Sequence, residues 1–215
     1  MAQPFNPVPS PSYTAITSPI AVVGPQYCVS EYPVDLIIVR KALVLTTGNF
    51  SVTDVKENLM FKLQVQWSLH DSRILRDPSG KPIVTLRQKI RTIHGRWQVF
   101  RGDSHDEKDL LFTAKTTSWL QLKTNMDIFL VNNESEEYPD FRLEGSYSEK
   151  HGIIYYGDGQ SKAILAQMHK KETAKSVLLG KHNFRVTVYP NVDYAFIVSL
   201  IAILDDIDMS NSLIN

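Results

Sequence analysis

Asn191-Val192-Asp193-Tyr194-Ala195-Phe196-Ile197-Val198-Ser199-Leu200-Ile201-Ala202-Ile203-Leu204-Asp205-Asp206 is the stretch that decides how this chain folds. From Tyr194 to Leu204 only Ser199 interrupts the apolar run, and no alternation of period two appears. Eleven such residues are long for a strand. Asn191 reads as an N-cap, with Asp193 in the first turn where the helix dipole favours an anion. The spacing predicts a helix over about 191–205. It is too short to cross a bilayer, which takes about 20 apolar residues. A helix apolar on every side has to be buried on every side. Each large side chain contributes roughly 1.5–3 kcal/mol when fully buried, so leaving the run in water forfeits on the order of 10–20 kcal/mol. Threading the helix through the middle of a barrel recovers that energy. Asp205-Asp206 oppose the dipole at its end, so this end has to emerge at solvent or meet a cation.

Upstream of the helix the chain supplies the barrel. From Val34 to about Tyr189 it reads as short strands separated by turn chemistry. Apolar and polar residues alternate in Phe50–Thr53 and in Leu59–Val65, and Leu43–Leu45 precedes a Thr-Thr-Gly-Asn turn. Further strands are expected at Ile83–Ile90, Trp97–Arg101, Leu110–Lys115, Leu120–Lys123, Met126–Val131, Phe141–Gly145, Gly152–Tyr156, Ala163–His169 and Phe184–Tyr189. Asp77-Pro78-Ser79-Gly80-Lys81-Pro82 is a turn, with proline where φ is near −65° and glycine where φ turns positive. Asp158-Gly159 is a hairpin signal. Without interleaved helices, such strands specify a mainly β fold: a closed antiparallel barrel of about twelve strands around a buried hydrophobic C-terminal helix. The expected organisation is a tail over 1–33, a single barrel domain over 34–209 and a flexible end over 210–215.

Seven of the 11 prolines fall at Pro4, Pro7, Pro9, Pro11, Pro19, Pro25 and Pro33, and the first charged residue is Glu31. Such a segment reads as a disordered or polyproline-like tail. It has no basic n-region, its apolar patch Ile20–Val23 is weak, and Ala2 replaces the glycine of a myristoylation signal. The rest of the composition is ordinary. With 23 Lys+Arg against 23 Asp+Glu the net charge is zero, which argues against a large basic field for nucleic acid. Cys28 is the one cysteine, which excludes an intrachain disulfide and a cysteine-built zinc site and suits a reducing compartment. These features lead us to expect a cytoplasmic monomer, at most peripheral to a membrane, with entry to the nucleus left open.

Several stretches are similar in wording to the plant LURP-one-related family: Tyr32–Asp35, Gly48–Phe50, Asp77–Arg87, Arg96–Gly102, Leu179–Phe184 and Tyr189–Phe196. The resemblance runs from about residue 27 to 208. It implies the barrel-and-central-helix fold of tubby C-terminal domains and phospholipid scramblases, and membrane-tethered regulators with some members tied to pathogen defence. In tubby-like proteins a short basic strand motif grips the headgroup of phosphatidylinositol bisphosphate. Aligned on the strand before Trp97, Arg87 and Lys89 stand where those proteins show Lys-x-Arg.

The residues themselves point to the same place. In 83–91, Val84, Leu86, Gln88 and Ile90 take one face and Thr85, Arg87, Lys89 and Arg91 the other. Side chains two apart on a strand face lie about 6.6 Å from each other, close enough for their cations to share a multivalent phosphate. Arg96 extends the patch if the chain turns back at Gly95. The alternative is a plain solvated strand face. Scramblase chemistry transfers poorly, because Asn191 and Asp193 are the only oxygen donors near the helix start and a calcium site wants six to eight.

Enzyme motifs are missing. The histidines His70, His94, His105, His151, His169 and His182 are scattered, and the loop Asp103–Asp109 lacks the EF-hand glycine and glutamate. Gly157-Asp158-Gly159 has Lys162 in place of the third glycine of a dinucleotide fingerprint. There is no Gly-x-Ser-x-Gly elbow. The acidic loop Glu134-Ser135-Glu136-Glu137 reads as a solubility feature, and Lys170-Lys171 with Lys175 as surface. Trp67, Trp97 and Trp119 read as core. We expect no catalytic residue, metal or cofactor. Two function classes remain: a non-enzymatic module meeting a phosphoinositide-bearing membrane through Arg87, Lys89, Arg91 and Arg96, or a scaffold for protein partners without lipid binding.

Overall fold

The computed structural model describes residues 16–40, 49–66, 72–89, 95–118, 124–157, 163–170 and 182–212. The strands are β1 (Val34–Arg40), β2 (Phe50–Thr53), β3 (Leu59–Gln66), β4 (Ser72–Arg76), β5 (Pro82–Lys89), β6 (Arg96–Arg101), β7 (Leu110–Ser118), β8 (Thr124–Leu130), β9 (Phe141–Ser146), β10 (His151–Tyr156), β11 (Ala163–Lys170) and β12 (His182–Val188). Each pairs antiparallel with its chain neighbour, and β1 closes the ring against β12. The helix α1 (Tyr194–Ser212) fills the lumen. The expected strands at Leu43–Leu45 and Leu120–Lys123, the Asp158-Gly159 turn, the lysines at 171 and 175, Trp67 and Trp119 lie outside the described residues.

Alternation along the strands packs the lumen. Leu36, Ile38, Val52, Leu63, Val84, Val99, Phe112, Ala114, Ile128, Leu143, Val186 and Val188 join one core cluster with Phe196, Ile197, Leu200, Ile201 and Ile203 of α1. Phe196 sits edge-on to Phe112 at 5.1 Å and tilted against Phe141 at 4.9 Å. Ser199, the break in the apolar run, donates its hydroxyl to the Ala195 carbonyl of its own helix at 2.8 Å. The Asp77–Pro82 turn forms as read, with Gly80 at φ +91° and its N–H donating to the Asp77 carbonyl. Two strands, β1 and β4, were not singled out in the sequence reading; in β1 three consecutive apolar residues, Leu36, Ile37 and Ile38, are buried. In β4 Ser72, Arg73, Ile74 and Leu75 are all buried, so no polar face alternates with the apolar one.

The helix boundaries move from the expected 191–205 at both ends. Asn191 has φ +64°, outside helical geometry, and donates its side-chain amide to the Ile16 carbonyl. Asp193 is the cap: its Oδ1 accepts the Phe196 N–H at 3.0 Å. At the far end α1 continues to Ser212, so the expected flexible end over 210–215 begins inside the helix. The cation expected opposite Asp205-Asp206 is there twice. Arg40 pairs with Asp205, Arg73 bridges Asp205 and Asp206, and Trp97 donates its indole N–H to Asp206 at 2.9 Å.

The tail also departs from expectation, because residues 16–33 are packed rather than disordered. Asp193 Oδ2 accepts the N–H groups of Val22, Val23 and Gly24 at 3.1, 2.7 and 2.9 Å. Ile20 bridges Val192, Cys28 bridges Asp193, and Val23 is buried in the core. Tyr27 packs edge-on against Phe61 and Tyr194. Proline removes donors from this segment, but one buried carboxylate collects the donors that remain, and Val23 with its neighbours covers the barrel end. Burial, and then the nearby Asp193 charge, push the Cys28 thiol up to about 11, which leaves it a poor nucleophile.

Candidate functional site

The outer face of β5, β6 and β7 carries the basic residues. Lys89 lies opposite Arg96, and Arg96 lies opposite Lys115. Neighbouring strands run about 4.8 Å apart, so these three cations form a row perpendicular to the strands. The row continues through Asp127 on β8 to Arg142 on β9, which close on each other as an ion pair at 2.8 Å.

A single carboxylate closes the basic part of this row. The acidic loop between β8 and β9 presents Glu136, whose Oε1 accepts from Arg96 Nη2 and, at 3.2 Å, from the Thr113 hydroxyl. Its Oε2 accepts from Lys115 Nζ. Burial raises the pKa of this carboxyl, but the Lys115 ammonium, the Arg96 guanidinium and the Thr113 hydroxyl outweigh it and hold Glu136 below the usual glutamate value. The Lys115 ammonium also lies 4.9 Å from the centre of the Phe129 ring. Thr113, Arg96 and Lys115 therefore converge as one set of oxyanion donors.

The expected site residues separate in this setting. Lys89 and Arg96 are brought together. Arg87 stands one row away and half-buried, donating to Gln98 Oε1 at 2.7 Å with its guanidinium 5.0 Å over the Phe100 ring. Arg91 lies outside the described residues. The face expected to be wet is partly covered: Thr85 is fully buried and donates to the Gly102 carbonyl, because the segment after β6 folds back over it. Two participants were missed, Lys115 and Glu136. The alternation Thr113-Ala114-Lys115 places Lys115 on the outer face, but only the β6–β7 register sets it beside Arg96. Glu136 was read as solubility, and its partners are 40 and 21 residues away. Among the described residues no group of three or more His, Cys, Asp or Glu side chains is arranged to hold a metal.

The family model for LURP-one-related proteins matches residues 34–205. Protein LURP-one-related 15 of Arabidopsis thaliana is 56% identical over 188 residues, covering 87% of this chain and 85% of that one. Protein LURP-one-related 10 of the same plant is 51% identical over 195 residues, covering 90% and 99%. An X-ray structure of an Arabidopsis thaliana protein superposes with a TM-score of 0.68 at 48% identity, covering 87% of this chain and 98% of that one. A twelve-stranded barrel closed on its own C-terminal helix, with these matches across nearly all of its length, belongs to the LURP-one-related family.

Proposed function

We propose that this barrel is a non-enzymatic binding module that meets an anionic, phosphoinositide-bearing membrane surface through the outer face of β5–β7. The observation that carries this reading is the row Lys89, Arg96 and Lys115 across three adjacent strands. Such a row matches a headgroup bearing several phosphates, because neighbouring cations gain most from an anion they share. A lumen filled by α1 supports binding on the outside of the barrel rather than within it. The proposed setting is a cytoplasmic monomer held at the membrane periphery, with the regulatory or defence role that the family resemblance implies. No helix among the described residues is long and apolar enough to cross a membrane, so attachment in this reading comes from the strand face.

Co-sedimentation with phosphatidylcholine vesicles, with and without phosphatidylinositol bisphosphate, tests the proposal. The intact chain is expected to pellet with the bisphosphate vesicles at low salt and less at moderate salt. A folded Lys89→Ala/Lys115→Ala variant is expected to stay in the supernatant. No sedimentation of the intact chain at low salt overturns the reading. A second reading, a scaffold for protein partners, is favoured by the exposed Val131 and Tyr138 on the β8–β9 loop and Tyr156 at the end of β10. Substituting these three with serine distinguishes it: partner capture then falls while vesicle binding does not change.

A further inference from the structure

We propose that Glu136 is an internal ligand: Arg96, Lys115 and Thr113 form a site for a phosphate-class dianion, and the acidic β8–β9 loop of the same chain plugs that site until such an anion displaces it. The inference rests on the anion-binding reading above and adds to it a defined pocket of donors and a built-in competitor.

Charge and valence both point this way. The carboxylate brings one negative charge to two cations, Arg96 and Lys115, whereas a phosphate monoester dianion neutralises both. Three donors, Arg96 Nη2, Lys115 Nζ and Thr113 Oγ1, share two carboxylate oxygens, with Oε1 taking two of them. A phosphate monoester offers three terminal oxygens, one for each donor. The strand register holds the two cations side by side whichever anion is present.

The plug is also built to leave without unravelling its loop. Asp140 Oδ2 accepts the Leu130 N–H at 2.8 Å and the Asn133 side-chain amide at 2.9 Å, and Asn133 also donates to the Tyr138 carbonyl. These bonds anchor the loop base without Glu136. Glu136 itself sits at φ +48°, with its N–H donating to Asn133 Oδ1, so the anchored backbone presents the side chain and the carboxylate can leave without moving it. A plug that is in place about nine-tenths of the time weakens the apparent affinity for a competing anion about tenfold.

Glu136→Gln tests this, because it keeps the side-chain shape and removes the competing charge. Titration of the full chain with soluble inositol trisphosphate is read by calorimetry, beside sedimentation with bisphosphate vesicles, and thermal melts confirm that each variant is folded. Glu136→Gln is expected to bind inositol trisphosphate about tenfold more tightly than the wild type. Adding Lys115→Ala to Glu136→Gln is expected to erase the gain. If wild type and Glu136→Gln bind inositol trisphosphate equally, the plug is overturned, and vesicle binding by the wild type then leaves the membrane reading standing. If Glu136→Gln gains affinity for the soluble phosphate while neither protein sediments with vesicles, the plug holds and the membrane reading fails. If neither protein binds either probe, both are overturned.

Discussion

Aspartates hold α1 at its start and again towards its other end, and they differ in what meets the carboxylate. At the N-terminal end Asp193 gathers four backbone N–H groups, three from the 22–24 segment and one from the first turn of its own helix. Towards the C-terminal end, about two turns before α1 stops at Ser212, Asp205 and Asp206 meet the side chains of Arg40, Arg73 and Trp97. The first arrangement follows the helix dipole, whereas the second lies inside the helix, where burial rather than the dipole sets the demand. The N-terminal end therefore needs an acceptor for orphan donors and takes in a neighbouring segment with them. The other needs imported positive charge before a buried acid and its neighbour can stand there. One end holds the chain through backbone that any sequence supplies, the other through specific side chains.

The largest expected effect breaks the N-terminal end. Asp193→Ala removes the cap and leaves two buried donors and one half-buried donor without an acceptor, at about 4–6 kcal/mol in a urea unfolding curve. The same substitution frees the 16–33 segment, which Cys28 reports. Its thiol returns from about 11 toward the ordinary 9.0, so a thiol reagent at neutral pH should react about tenfold faster once the lower nucleophilicity of the less basic thiolate is counted. An unchanged rate would show that Asp193 does not hold this segment.

Breaking the other end should cost somewhat less. Arg73→Leu leaves Asp205, with no exposed surface, facing Arg40 alone, and is expected to lose about 3–5 kcal/mol. Adding Asp205→Leu should restore part of that, because the fully buried charge is gone and the groups left without their ion pairs, Arg40 and Asp206, are partly exposed. No equivalent rescue exists for Asp193, whose partners are backbone. A double variant no more stable than the single one would erase the contrast between the ends. Trp97→Phe should cost only about 1.5–3 kcal/mol, the value of one hydrogen bond to a charged acceptor, since Asp206 keeps Arg73.

The smallest effect is one of proton binding. Burial pushes the Asp193 and Asp205 carboxyls above the ordinary 3.8, against four N–H groups at one and two guanidinium groups at the other. Their protonated forms are favoured by folding, so the stability linked to them is fully present below pH 3.8 and is lost as pH rises through the raised values. Glu136 is held below 4.5, so its contribution is present above 4.5 and is lost as pH falls through its depressed value. Carboxyl-carbon NMR titration should place both aspartates above 3.8 and Glu136 below 4.5. Midpoints on the opposite sides would contradict the assigned contacts.

These contrasts also explain what could be read from the residues alone. Tyr194–Leu204 announces its burial because eleven residues carry one polar side chain, and Asp205-Asp206 announces a cation because charge type is visible in a sequence. The hold on 16–33 is invisible for the same physical reason in reverse: backbone donors have no letter code, and proline-rich composition pointed away from order. β4 hid because both its faces are covered. Lys89 and Arg96 were legible as cations on strands. Their row with Lys115 was not, because register is set by closure of the whole barrel. Glu136 was legible only as a loop acid, since no spacing rule links a loop to a strand 21 residues before it.

The position of α1 in chain order has a consequence for how the protein is made. All twelve strands leave the ribosome before the segment they are to enclose. A nascent chain translated as far as β12 owns a wall with nothing to close upon, its apolar residues open to whatever holds unfinished chains. Folding then belongs to the moments after the helix is translated, and its contacts join residues far apart in sequence, which makes it slow. Chaperone occupancy should persist through synthesis of β12 and fall only once residues 194–204 are free. A stop codon between β12 and the helix would yield a long polypeptide with all twelve strand segments and no interior.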